Sequence, residues 1–390
     1  MIERVLKSGF SIHAYTVLLE KISFFIITIF LIKKLNVEDL STFTQLFIYG
    51  GVLTLFVDMG SSILFVNYHK KHSAHIVLHL RFILYFTVLI PILLIFDDLL
   101  VVFFLMIFTL DSLSKFPQYF QIRQKKLKLF YSSQFIKGSL LIGLSFFWAT
   151  KDSITLDDVL LSLSLIYFAT SLYIILPFVR QIFIKLSYNL AEYKALLIDG
   201  KSIFLSQLLF MVKLSLPLYI TTIYFQDQLK EFRIYIMVFS IVQQFMFVGF
   251  SAIYPKLVES HKFIINIKWM LIAIFLFSVL NFVAYNMKDD IWPYMFLEVA
   301  MTEYQNVVFF TISIALPITL VYLYKITIEN AKENFHIVFK ANLVAALATV
   351  VFVSLAIYLN EFLWLLMAFV IYDLMAIFVL FLKKERASVR

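Results

Sequence analysis

The sequence predicts an all-α polytopic membrane protein of about twelve transmembrane helices, and three observations carry that prediction. Apolar stretches alternate with short charged loops along the whole chain. The composition is 62% hydrophobic and 15% charged with a mean hydropathy of +0.92, where a soluble domain carries about 25% charge. With the N-terminus inside, 24 of the 33 Lys and Arg residues fall on the cytoplasmic side, as the positive-inside rule requires. A helix rises about 1.5 Å per residue, so roughly 20 apolar residues cross a hydrocarbon core of about 30 Å.

The spans follow in order. Span 1 (10–32) comes after Arg4 and Lys7; it lacks a small-residue cleavage site and is too long for a signal sequence, so it reads as an uncleaved anchor. His13, Thr16, Glu20 and Ser23 form one polar stripe on it, with Lys21 about 100° away. Span 2 (42–66) carries Thr44, Gly51, Asp58 and Ser62 on one face. Span 3 (77–95) has Arg81 near its start, placed to snorkel, and Pro91 inside. Span 4 (97–114) has Asp111 four residues before Lys115, the spacing of a local ion pair. Span 5 (130–149) has Lys137 within reach of the interface, where snorkelling and a buried role both fit. Span 6 (156–178) follows Asp157 and Asp158.

The longest cytoplasmic connection comes next, and Tyr188, Glu192, Tyr193 and Lys194 give it the character of an interfacial segment. Span 7 (203–225) places Ser202, Ser206, Lys213 and Pro217 on about one face, and span 8 (234–255) carries Ser240, Gln244 and Ser251. Spans 9 (264–285), 10 (305–324, with Pro317), 11 (338–359) and 12 (361–382) complete the set. Asp373 in span 12 is deep and has no partner in sequence, so cavity, packing and proton roles are all open.

An even number of spans makes any repeat of the two halves parallel. Lys21-Ile22-Ser23 in span 1 is echoed by Lys213-Leu214-Ser215 in span 7. The expected organisation is an N-terminal six-helix lobe (1–180), a cytoplasmic linker (181–202) and a C-terminal six-helix lobe (203–390). Polar faces recur on spans 1, 2, 7 and 8, the first two helices of each half. Interhelical hydrogen bonding would explain their Ser, Thr and Gln residues, but it does not require the charge of Lys21 or Lys213.

Several classes fall away. Without cysteine there is no disulfide, thiolate metal site or cysteine nucleophile. No phosphate-binding G-x-x-x-x-G-K-[ST] loop and no H-E-x-x-H pair occurs, so neither an in-chain ATPase nor a metal centre is visible, and no cofactor or catalytic residue is assigned. His69, His72, His75 and His79 read as solvated juxtamembrane residues rather than metal ligands. The basic cluster from Arg123 to Lys128 fits an inside loop near anionic lipid better than nucleic acid, which is not expected as a partner.

The segment LNVEDLSTFTQLFIYGGVLTLFVDMGSSILFVNYHK (35–70), with Asp58-Met59-Gly60-Ser61-Ser62 closing span 2, resembles polysaccharide repeat-unit (O-antigen) flippases of the Wzx type. These belong to the multidrug/oligosaccharidyl-lipid/polysaccharide exporter superfamily. YFQIRQKKLKLF (119–130) and FRIYIMVFSIVQQFMFVGFSAIYPKLVE (232–259) are similar to that family too, although the glycine usually found before Tyr235 is absent. The resemblance implies two six-helix lobes in a V. Its central cavity would be lined by spans 1, 2, 7 and 8, in a bacterial inner membrane with both termini cytoplasmic.

The implied substrate is an oligosaccharide on a polyprenyl diphosphate, moved outward by alternating access, and the implied protein is not an enzyme. In that mechanism Lys21 and Lys213 clamp the diphosphate. His13, Thr16, Ser23, Ser206 and Gln244 line the cavity. Asp58, Glu20 and Asp373 are the candidates for coupling to H+ or Na+. Membrane lipid and polysaccharide assembly proteins are the other expected partners. A multidrug/cation antiporter of the same superfamily is the first alternative. A membrane enzyme such as an O-unit polymerase or an acyltransferase is the second, and lipid II flipping is a further possibility.

Overall fold

A computed structural model describes residues 10–61, 63–64, 74–124, 128–184, 190–236 and 303–382, with isolated positions between 239 and 287. The described secondary structure is helical throughout. Ten long helices are α1 (Phe10–Lys34), α2 (Val37–Asp58), α3 (Ala74–Ile95), α4 (Leu99–Gln124), α5 (Lys128–Ala149), α6 (Leu156–Ile184), α7 (Leu190–Tyr224), α8 (Glu303–Ala331), α9 (Phe335–Leu359) and α10 (Leu363–Leu382). Among the described residues, seven helices are long and apolar enough to cross a membrane. Spans 8 and 9 lie largely outside the described residues.

The chain divides into two compact units, Met1–Gln207 and Leu208–Arg390. In the first, α1 packs along α5, α4 packs on α6, α2 and α3, and α5 also meets α6. The helix starts follow from local chemistry. Asn36 caps α2: its side chain accepts from the Asp39 N–H at 2.7 Å, while Asp39 accepts from the Asn36 amide at 3.0 Å. Thr155 and Asp158 exchange the same kind of reciprocal bonds at the start of α6, at 3.2 and 3.3 Å. Helix α2 ends where Met59 turns left-handed (φ 44°) and donates its N–H to the Leu55 carbonyl, with Gly60 also at positive φ (71°).

Phe43, Phe47, Phe104, Phe108 and Tyr167 form a continuous aromatic core, and a Cβ on Gly50 would lie 2.7 Å from the Phe108 ring. Gly60 and Gly200 let α7 approach the end of α2 backbone to backbone: a Cβ on Gly200 would sit 2.7 Å from the Met59 carbonyl oxygen, and one on Gly60 would sit 2.9 Å from Ile203.

Residues 190–202, which the sequence assigns to the linker, are helical and continuous with span 7. Together they make α7, a helix of 35 residues and roughly 50 Å. The boundary between the two units, after Gln207, falls inside it. Tyr193 is buried, with its hydroxyl 3.5 Å from His79 Nδ1, and His79 is itself buried rather than solvated. Helices α4, α6 and α8 run on to Gln124, Ile184 and Ala331, about two to three turns beyond the expected ends of spans 4, 6 and 10. Hydropathy marks where a span leaves the lipid, and the helix continues because the polar residues beyond still favour it.

In the second unit α9 and α10 form an antiparallel hairpin with α8 packed on both, mainly on α10. Ala341, Ala345, Ala346, Ala368 and Ala376 are buried in it. Small residues are what membrane helices need to approach, since lipid offers no hydrophobic drive between them. Asn360, left-handed at φ 52°, closes α9 by donating to the carbonyls of Ala356 and Ile357. Residues 229–236 are helical and set Phe232 and Tyr235 against Phe369.

Candidate functional site

An ionisable side chain at membrane depth costs several kcal/mol unless it is paired or faces water, so the charged groups inside these helices are the natural candidates. Among the described residues, three clusters of them stand out.

The first joins α2 and α3. The Arg81 guanidinium forms an ion pair with Asp58, its Nε donates to Ser61 Oγ at 2.7 Å, and its Nη1 donates to the Ser112 carbonyl at 3.3 Å. Arg81 is fully buried, so the snorkelling expected of it does not occur; an inward carboxylate outcompetes the interface. Asp58 keeps 14% side-chain exposure.

The second joins α1, α4, α5 and α6. Lys137 Nζ lies 3.2 Å from Glu20 and 3.2 Å from Asp111, and sits 4.1 Å from the centroid of the Tyr167 ring. Lys137 is buried and does not snorkel. Asp111 pairs with it across the bundle, an arrangement the i, i+4 spacing to Lys115 does not reveal. Both acids keep 16% side-chain exposure.

The third lies within the second unit, and it is sealed. Lys213 on α7 donates to Asp373 Oδ2 on α10 at 2.6 Å, and their side chains are 0% and 1% exposed. Thr319 on α8 donates to the same oxygen. The ammonium lies 4.7 Å from the Phe239 ring centroid and 5.8–5.9 Å from those of Phe210, Tyr322 and Tyr372. Tyr322 is held in turn by donating to Asn342 at 2.9 Å.

The clamp residues and the acids therefore stand as follows. Lys213 is paired and enclosed, so in this form of the protein its charge is not presented to a cavity. Glu20, Asp58 and Asp373, the ion-coupling candidates, are each paired with a basic side chain: Lys137, Arg81 and Lys213 respectively. Ser23 is buried, and its hydroxyl donates to the Leu19 carbonyl of its own helix at 2.5 Å. Ser206 is buried in the same helix as Lys213 but in the first unit. The backbones of His13, Thr16 and Lys21 lie in α1 as expected, with their side chains outside the described set, and Gln244 lies outside the described residues. Sequence reading missed Thr319, Tyr322 and Tyr372. Only Thr319 carried a signal, a polar residue two positions after Pro317.

No family model and no curated protein matches the sequence. Solved structures do match over almost the whole chain. A point variant of the Vibrio cholerae MATE transporter VcmN aligns at a TM-score of 0.65 and 12% identity, over 97% of this chain and 96% of its own. The lipid II flippase MurJ, in an inward closed conformation, aligns at 0.67 and 14% identity, over 96% of this chain and 86% of its own. A multidrug resistance MATE family transporter of the MOP superfamily, inward-facing, aligns at 0.67 and 14% identity, over 93% of both chains. The chain has the fold of MOP-superfamily transporters. At these identities the likeness is one of fold, and with the apolar helices it makes this a multi-pass membrane protein.

Proposed function

We propose that this protein is a flippase. It would carry polyprenyl-diphosphate-linked oligosaccharide units from the cytoplasmic to the periplasmic leaflet of a bacterial inner membrane, for O-antigen or capsule synthesis. The observation that carries this reading is the fold shared with a lipid II flippase over 96% of the chain. The resemblance at residues 35–70 to repeat-unit flippases supports it.

In this reading twelve spans form two six-helix lobes, 1–180 and 203–390, with both termini cytoplasmic. The polar head of the substrate crosses in the cleft while its tail stays in lipid. Lys21 and Lys213 engage the diphosphate, and His13, Thr16, Ser23, Ser206 and Gln244 contribute to the cavity wall. An inside-negative potential favours the outward step, by about 4.6 kcal/mol for two charges per 100 mV if they cross the full field. Coupling to H+ or Na+ through Glu20, Asp58 or Asp373 then serves the return step.

The test is a deletion strain without a second flippase. Long surface glycan should vanish while lipid-linked units accumulate on the cytoplasmic leaflet, and normal long-chain glycan would end the proposal. Topology is tested in the same cysteine-free chain: Lys125→Cys should label only from the cytoplasm. A multidrug/cation antiporter is the second reading. The two MATE structures favour it, as does the cancellation of the Lys213 charge by Asp373. It predicts intact glycan and lowered resistance to lipophilic cations in the deletion strain.

A further inference from the structure

Arg81, Lys137 and Lys213 are all buried, but they are not equally engaged. Arg81 reaches a carboxylate, a hydroxyl and a carbonyl. Lys137 has two carboxylates. Lys213 has one oxygen, Asp373 Oδ2, and shares it with Thr319. An ammonium has three donors, and among the described residues Lys213 meets, beyond that one bond, only the rings of Phe210, Phe239, Tyr322 and Tyr372. Ring faces attract a cation without accepting its hydrogen bonds as oxygens do. Asp373 is also half used, because its Oδ1 is buried without a partner among the described residues.

A buried pair built only to hold helices together would satisfy these atoms. This one leaves the cation short of acceptors and leaves the carboxylate with Thr319 should the lysine depart. Pro217, one turn further along α7, has no N–H to offer the Lys213 carbonyl, so the helix is least braced where it carries the cation.

We propose that Asp373 is a stand-in anion that keeps Lys213 neutralised until the diphosphate of the carrier lipid replaces it. This deepens the flippase reading and rests on it. The exchange swaps one carboxylate oxygen for several diphosphate oxygens and completes the donors of Lys213, while Asp373 keeps Thr319. It also reconciles a lysine suited to a phosphate with a resting site closed to one. Releasing the substrate lets Asp373 return, so the pair acts as an internal competitor that prevents the clamp from holding its ligand indefinitely.

The full chain in nanodiscs of neutral lipid tests this with farnesyl diphosphate as probe. Inorganic pyrophosphate serves as the comparison for a free phosphate. Asp373→Asn removes the competitor and keeps the Thr319 bond, so farnesyl diphosphate should bind about tenfold tighter than to the natural protein. Lys213→Gln/Asp373→Asn should bind it more weakly than the natural protein does. Equal affinity of Asp373→Asn and the natural protein would overturn the exchange. So would pyrophosphate binding as tightly as the lipid diphosphate.

If Asp373→Asn does not run as a single species, the neutral double variant decides alone, and natural affinity there refutes the idea. The outcomes also separate from those of the flippase reading. A flat binding series beside a deletion strain that loses its glycan removes only the exchange. A tenfold gain beside intact glycan removes only the flippase assignment.

Discussion

In the first unit Glu20, Asp58 and Asp111 keep 14–16% of their side-chain surface exposed, and their bases are engaged several times over. In the second unit Lys213 and Asp373 are 0% and 1% exposed; among the described residues Lys213 makes one hydrogen bond and Asp373 Oδ1 has no partner. Both units bury cations at membrane depth, but they compensate them differently. The first spreads each charge over several partners and leaves an edge open, where surroundings can adjust if one partner is lost. The second confines one pair in an aromatic box, where loss of either member leaves a charge with little relief. Saturated clusters are suited to holding helices in place, and an unsaturated sealed pair is suited to changing partners.

The difference can be broken experimentally, and the largest effect belongs to the sealed pair. Lys213→Ala or Asp373→Ala should each destabilise the purified protein by about 3–5 kcal/mol, because the surviving charge stays buried. Lys213→Met/Asp373→Leu should recover most of that, read as the thermal midpoint in detergent. If the single variants lose no more than the double, the pair is not sealed in solution.

Arg81→Ala should cost less, about 2 kcal/mol, because Asp58 is partly exposed and is left to find other partners. A loss equal to that of Lys213→Ala would erase the contrast between the units.

Glu20→Gln and Asp111→Asn should each cost about 1 kcal/mol or less, since the other carboxylate still holds Lys137. The double variant should cost more than their sum. Strict additivity in that cycle would show that Lys137 does not share its charge between them.

The smallest expected effect compares the two left-handed helix ends. Met59→Gly in the first unit relieves a side chain at φ 44° and should stabilise by up to about 1 kcal/mol. Asn360→Gly in the second should change little, because Asn already tolerates that conformation. Equal shifts in the two melting curves would mean that the ends are not strained differently.

Much of the fold could be read from the chain because lipid imposes a simple rule on it. Apolar length placed the starts and ends of α3, α5, α9 and α10 within a few residues, whereas α2 starts five residues before span 2 and ends eight before it, at the left-handed turn of Met59. The overrun of α4, α6 and α8 was hidden, because polar residues outside the lipid continue a helix without an apolar signal. For the site, sequence identified which residues did not belong in lipid but not which of them would meet. Glu20, Asp58, Lys213 and Asp373 stood out by charge alone. Their partners did not, since Lys213 and Asp373 are 160 residues apart and Lys137 meets acids from two other helices. Pairing of this kind depends on helix rotation and packing, and hydropathy contains neither. The expectation that Arg81 would snorkel failed for the same reason: it considered the base against lipid alone. For Lys137 both outcomes were open, and it is buried.

One crossing in the first unit sets a limit on what evolution or engineering can do to α7. The chain has only 8 glycines, and two of them, Gly60 and Gly200, occupy the same contact. Elsewhere in a helix a glycine-to-alanine change stabilises by roughly 0.5–1 kcal/mol. At Gly200 the added methyl would meet a carbonyl oxygen at 2.7 Å, and backbone cannot swing aside as a side chain can. The clearance there is smaller than one carbon atom, so the spacing between these two segments is a fixed dimension of the molecule.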